Sequence, residues 1–403
     1  MVPSCWPVIL LSFHLISTIR SYRHAEEVER ELIEKFEQQG DVYSRTEVVK
    51  EIGEFKEPLL MHMNHTVMTD YLHALADKFP NLTHLYSIGN SVRGRQLWVL
   101  TISKYPRKHE TGIPEFKYIA NMHGNEVSGR VFLLGLAWTL LYNYHTNGWI
   151  QKLVDTTRIH LLPTMNPDGY EIAYEGDDAG IYGRSNANNK DLNRNFPSRF
   201  PNYFPSEQLQ PETMAVMKWT KSIPFILSAS LHGGTTLVNY PFDDHPTRSA
   251  SRRYSPSPDN ELFVRLAYSY SKVHDRMNKQ VIFHSKISPL CLFIELLVYI
   301  VSGGMQDWNY LHTNCFELTI ELNCVKYPPK SELKVLWDEN KYPLLYFIKQ
   351  IHNAIHGRVV DAETGQGLLN VTVSIDDQMK IVTTYSNGEF WRPVNIGQYQ
   401  VSH

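Results

Sequence analysis

The 403-residue chain is 42% apolar and 20% charged and carries a formal charge of −3 at pH 7. That composition suits a large soluble domain with a smaller one beside it. It excludes a nucleic-acid binder, because Lys and Arg are scattered without basic blocks, so attraction for a charged partner must be local to a pocket.

Residues 1–21 contain an apolar core from about Pro7 to Ile16, of signal-peptide length and too short to span a bilayer. A charged region ahead of it and a small-x-small cleavage site are both missing, so a misassigned or extended N-terminus stands as the other reading. Asn64, Asn81 and Asn370 each open an Asn-x-Ser/Thr sequon, which agrees with export to the secretory pathway or the extracellular space. Residues 22–60 read as a charged N-terminal arm. Its helical stretch runs to Gln39 with a thin apolar stripe and stops at Gly40, and it is expected to be a solvated face or a propeptide-like arm.

A catalytic domain is expected over residues 61–354. It begins with a helix bearing Tyr71, Leu72, Leu75 and Phe79 on one side, then two strands around GNSVRGR. The run FKYIAN reads as a buried strand and leads into His123 and Glu126. A neutral imidazole and a carboxylate from one short segment form half of a zinc site whose last ligand is expected far away in sequence. On its own the pair is equally at home on a solvated loop. VSGRVFLLGLAWTLLYNY is apolar nearly all round, as a helix packed against a central sheet must be. TRIHLLPTMNPDGYE reads as a fully buried strand closing in an Asn-Pro-Asp-Gly turn. Strands alternating with helices argue an α/β fold, a three-layer α/β/α domain with a mixed sheet.

IYGRSNANNKDLNRNFP is too polar for a core, and a long polar loop in a compact domain is functional or disordered. In FILSASLHGG, His232 ends a second β-rich run and is followed by two glycines. Open α/β sheets hold ligands at the carboxyl ends of their strands, so two strand-end histidines can converge on one metal. Glu321 stands in the apolar alternation of CFELTIELNC, where a carboxylate is costly to bury unless a cation faces it. Zinc would be that cation.

Together these strings resemble the zinc metallocarboxypeptidases of the regulatory (carboxypeptidase N/E) branch. The resemblance covers roughly residues 65–278 and 303–395, with HGNE, RIHLLPTMNPDGYE, DLNRNFP, LHGG, NYPFDD, GGMQDWNY and TIELNCVKYP in the family's order. It implies one Zn2+ held by His123, Glu126 and His232, with Asp191 behind His123 fixing its tautomer. It implies Glu321 as general base, Arg184 polarising the scissile carbonyl, and Asn193 with Arg194 gripping the substrate's terminal carboxylate, a task suited to a guanidinium fork. Asp243 would be the pocket acid for Lys or Arg, and Gln306 replaces an apolar residue of digestive relatives at the pocket floor. The activity implied is removal of C-terminal Lys or Arg from peptides and proteins by a monomer. Two other readings stand beside it: a non-catalytic peptide-binding or scaffold protein, and a defective isoform.

The defective-isoform reading comes from residues 279–302, where the chain departs from the family. NKQVIFHSKISPLCLFIELLVYIVS replaces a polar pocket loop, and its apolar run from Leu290 to Val301 contains Glu295 and does not qualify as a membrane span. It is either a splicing product or a distinct pocket wall. Tyr299 occupies the family's position for a substrate-capping tyrosine. Of the cysteines beyond Cys5, Cys315 and Cys324 flank a strand and would lie roughly 30 Å apart when extended, so at most one bridge, from Cys291, is expected. Residues 355–403 alternate apolar and polar residues and resemble a truncated transthyretin-like β-domain with an open sheet edge.

Overall fold

A computed structural model describes residues 27–202, 208–246, 255–280, 300–375 and 380–402. The signal-like segment, Cys291, Tyr299 and residues 281–299 of the departing run lie outside the described residues. A seven-stranded sheet is the centre of the structure, built from β1 (Thr83–Asn90), β2 (Gln96–Ile102), β3 (Glu115–Ala120), β4 (Arg158–Leu162), β5 (Phe225–His232), β6 (Thr235–Asn239) and β7 (Phe316–Asn323). Their order is β1-β2-β4-β3-β5-β7-β6. The four central strands, β4, β3, β5 and β7, run parallel, and the outer strands pair antiparallel. Every position of β3, β4 and β5 is buried, which is why these segments lack the alternation of a half-exposed strand.

Helices cover both faces, as the three-layer expectation requires. On one face lie α2 (Arg45–Ile52), α3 (His65–Lys78), α4 (Ser128–Asn143), α5 (Gly148–Thr156), α8 (Asn260–Ser271) and α11 (Leu333–Lys349), which share one apolar core with the sheet. On the other lie α7 (Pro211–Ser222) and α10 (Met305–His312), packed with Leu192 and Phe196 of the polar loop. Short helices α6 (Pro167–Tyr170) and α9 (Met277–Gln280) also lie among the described residues. Each fully buried Leu or Phe contributes about 1.5–3 kcal/mol through removal from water, so α4, buried almost all round, anchors the layer. Among the described residues no helix is long and apolar enough to cross a membrane.

The N-terminal segment is packed, not solvated. Helix α1 (residues 27–39) ends at Gly40, which takes φ 69°, and its Phe36 is 1% exposed against Val42, Val264 and Tyr268. A capping box of Ser44 and Glu47 starts α2, whose Val48 and Ile52 enter the main core. Cys315 is a buried free thiol and Cys324 is disulfide-bonded, so those two do not pair with each other.

The C-terminal residues form a small β-module: β8 (Ala354–Arg358) pairs with β11 (Glu389–Pro393), and β9 (Thr372–Ile375) lies between β10 (Val382–Thr383) and β12 (Val401–Ser402). Its own core is small, Val373, Val382 and Phe390, and Trp391 reaches into the main core. The module leans on the larger domain through polar contacts. Tyr385 Oη donates to Ser222 O at 2.9 Å, Asn314 Nδ2 donates to Thr383 O at 2.8 Å, Arg392 pairs with Asp259, and Lys380 donates to Tyr310 O.

His109 is the hinge of charge between the two parts. Its Nδ1 donates to Glu115 of β3 at 2.7 Å and its Nε2 to Glu389 of β11 at 2.9 Å. Burial alone would lower its pKa, but the two carboxylates outweigh it and push it up to about 9, while Glu389 and Glu115 are drawn down to about 2. A raised histidine contributes stability that is complete below its unfolded value of 6.5 and is lost as pH rises to about 9. The carboxylates contribute above 4.5 and lose it towards pH 2. Thermal melts of wild type should therefore fall between pH 6.5 and 9, a loss worth about 3 kcal/mol at most. His109→Gln should lower the melting temperature at pH 6 and flatten that alkaline slope; an unchanged slope would refute the account.

Candidate metal centre

Strand register brings the predicted ligands together. Ala120 at the end of β3 pairs with Leu231 of β5, and His232 pairs with Glu321 of β7, so His123, His232 and Glu321 leave the same edge of the parallel core. His123 Nδ1 lies 2.9 Å from Glu126 Oε2, His232 Nδ1 lies 2.9 Å from the same oxygen, and the two Nδ1 atoms are 3.2 Å apart. All three ligand atoms fall within 4.8 Å of one another, and all three residues are buried.

The outer nitrogens have partners of their own. His123 Nε2 faces Asp191 Oδ1 at 3.0 Å, and an ionised carboxylate only accepts, so a proton held on Nε2 would leave Nδ1 a lone pair to offer a metal. Burial works against the Asp191 charge, but His123 and the Arg184 guanidinium hold its carboxyl far below the usual range. His232 turns its Nε2 to Ser230 Oγ at 3.0 Å, which leaves its Nδ1 pointing inward too. Two imidazole lone pairs and a carboxylate oxygen aimed at one point repel each other unless a cation stands between them. Two histidines and a carboxylate are the donor set of catalytic zinc, with a further position left for water or substrate.

The neighbouring residues arrange themselves around that point. Arg184 bridges Glu126 Oε1 at 3.1 Å and Asp191 Oδ2 at 2.9 Å. Glu321 has a buried Oε2 with no partner among the described residues, and burial, with the Glu126 charge, pushes its carboxyl up to about 8. Asn193 Oδ1 accepts the backbone N–H of Met305 at 3.1 Å. Arg194 is exposed beside it. Burial pushes Asp243 up to about 6 against the pull of Asn239, whose Nδ2 donates to it at 2.6 Å, and of Arg194. Gln306 is 2% exposed, and among the described residues neither its Oε1 nor its Nε2 has a partner. Tyr299 is outside the described residues.

Residues 68–343 match the zinc carboxypeptidase family model. The chain belongs to the zinc carboxypeptidase family. It is 50% identical over 345 residues to carboxypeptidase D of Anas platyrhynchos, covering 85% of this chain and 25% of that protein. To carboxypeptidase D of Homo sapiens it is 48% identical over 351 residues, covering 86% and 25%. To carboxypeptidase M of Mus musculus it is 43% identical over 340 residues, covering 83% and 76%. The chain thus spans about a quarter of the carboxypeptidase D proteins, and its similarity lies with the regulatory branch. The fold is similar to thrombin activatable fibrinolysis inhibitor, at TM-score 0.56 and 18% identity over 72% of this chain and 74% of that one. Carboxypeptidase A from Helicoverpa armigera gives TM-score 0.56 and 19% identity over 81% and 80%.

Several residues that shape this zinc carboxypeptidase site escaped the sequence reading. Asn121, at φ 56°, donates its amide to the carbonyls of His123, Gly124 and Glu126, fixing the turn that carries two of the predicted ligands. Its signal was an Asn at a strand end, a residue that tolerates left-handed backbone. A Cβ on Gly124 would come within 2.3 Å of the Gly169 and Tyr170 backbone, so the HGNE glycine is there for close approach. Lys326 Nζ lies 3.8 Å from Glu126 Oε1 and donates to Gly180 O at 3.2 Å. Only the fold brings that lysine to the site.

Proposed function

We propose that this chain is a zinc-dependent carboxypeptidase that releases C-terminal Lys or Arg from peptides and proteins. The observation that supports it most is the convergence of His123, Glu126 and His232 with Glu321, whose Oε2 has no partner among the described residues, at the same sheet edge. Zinc at these three ligands would polarise the scissile carbonyl and acidify a water. Glu321 takes a proton from the attacking water and gives it to the departing amine. Arg184 presents positive charge to the carbonyl oxygen, and Asn193 with Arg194 binds the terminal carboxylate by charge-assisted hydrogen bonds. Asp243 pairs with the substrate's basic side chain, and Gln306 supplies polar atoms to the same pocket. The rival reading, a peptide-binding protein without turnover, is disfavoured because ligands, base and arginines are all present.

The apolar N-terminal segment and three exposed sequon asparagines, Asn64, Asn81 and Asn370, support a place in the secretory pathway or outside the cell, and a monomer with peptide C-termini as partners is the working state. The test compares release of Arg, Lys and Phe from matched peptides, before and after chelation. Expected are Arg and Lys release that chelation abolishes and added zinc restores; preference for Phe, or chelator-insensitive release, would overturn the reading.

A further inference from the structure

The segment carrying Asp243 is held by another acid. Asp307, in the first turn of α10, is 3% exposed, and its two oxygens accept two consecutive backbone N–H groups, Oδ1 from Asp243 at 3.0 Å and Oδ2 from Asp244 at 2.9 Å. One residue earlier on the same helix is Gln306, and two residues earlier the Met305 N–H holds Asn193 Oδ1. The first turn of α10 therefore grips both halves of the proposed substrate pocket, the acid for the side chain and the amide for the terminal carboxylate. Gly303 locks that turn in place: it takes φ 75°, its carbonyl accepts the Phe196 N–H at 3.0 Å, and a Cβ there would meet Arg194 O at 2.6 Å.

Placing a second carboxyl so near Asp243 is electrostatically costly. Burial and the Asp243 charge push Asp307 well above the usual carboxylate range, and the two backbone N–H groups oppose that shift. A neutral amide would avoid the repulsion, but it offers one acceptor and one donor where two donors arrive. We infer that Asp307 is a positioning residue for specificity: its carboxylate aims the Asp243 backbone so that the Asp243 side chain meets the substrate's cation. The inference rests on the reading of Asp243 as the pocket acid.

The experiment is steady-state kinetics of the zinc-loaded protein with matched peptides ending in Arg and in a small neutral residue, for wild type, Asp307→Asn and Asp243→Asn. D307N is expected to raise KM for the Arg peptide by about 10- to 100-fold, the effect of losing one hydrogen bond to a charged group, with kcat and zinc content little changed. The neutral-ended peptide should show little change in either constant, which a general loss of structure would not allow. Equal losses on both peptides, or none on either, would overturn the inference. If D243N leaves the preference for Arg intact, the pocket reading fails and takes this inference with it; if D243N abolishes the preference and D307N does not alter it, the inference alone fails. Should D307N not fold, Asp307→Glu, which keeps both acceptors on a longer arm, is scored by the same split, and an unchanged Arg KM there would overturn it.

Discussion

Replacing Glu321 by Gln is expected to lower turnover of a C-terminal Arg peptide by about 10²- to 10⁴-fold while leaving zinc content unchanged. The prediction follows from the division of labour at the sheet edge. On the proposed reading metal affinity belongs to His123, Glu126 and His232, which the substitution does not touch, and Gln keeps the volume of Glu while losing the ability to take a proton. A second readout separates a lost base from a disturbed fold. In the metal-free protein, burial and Glu126 push the Glu321 carboxyl up to about 8, above its usual 4.5. A buried acid with a raised value costs stability as pH climbs from 4.5 towards 8, because the unfolded chain ionises more readily. Metal-free E321Q should therefore melt above metal-free wild type at pH 8, and the gap should close in acid. Full activity in the variant would sink the mechanism; loss of zinc would move Glu321 from base to ligand support.

The second large effect is expected at Asp243. Asp243→Asn should cost the Arg peptide about 10²- to 10³-fold in kcat/KM, the range for removing one partner of a desolvated charge pair, and should cost a neutral-ended peptide far less. Wild type should also show a pH signature. Burial pushes Asp243 up to about 6, so below that value the pocket acid is neutral and its attraction for a cation fades. The ratio of Arg to neutral-peptide kcat/KM should fall as pH drops through 6, and in D243N that ratio should be flat. A ratio that falls identically in both proteins would place the basic-residue preference elsewhere.

The layered fold, the seven strands' central members and the residues that converge at the sheet edge were legible in the chain because each rests on a local signal: an apolar run, then a histidine, then glycine. Glu321 stood out for the same reason, a charge where the pattern called for none. What was not legible depends on contacts between segments. Asp307 reads as a polar residue opening a helix, and nothing local says that its partners are two N–H groups on a different loop. The apolar side chains of the stretch up to Gln39, Phe36 among them, read as a thin stripe on a charged arm, yet a few apolar side chains suffice when Val42, Val264 and Tyr268 offer a matching surface. Lys117 is the extreme case: a lysine in a strand otherwise reading as core, fully buried 2.8 Å from Glu317. Each of that pair is an anomaly alone, and together they cancel.

The contacts of the β-module bear on where this protein can be cut. Arg392, buried in β11, pairs with Asp259, and the other Asp259 oxygen accepts from Tyr310 Oη at 2.8 Å, while Lys380 binds the Tyr310 carbonyl on α10 itself. Removing one member of a buried charge pair strands the other at a cost of about 3–5 kcal/mol. A fragment ending near residue 354 would thus inherit an orphaned Asp259 directly behind the helix that carries Gln306 and Asp307. The apparent seam between the two parts is a change of strand pattern, not a line of mechanical independence, and the shortest chain with an intact pocket has to extend past Arg392.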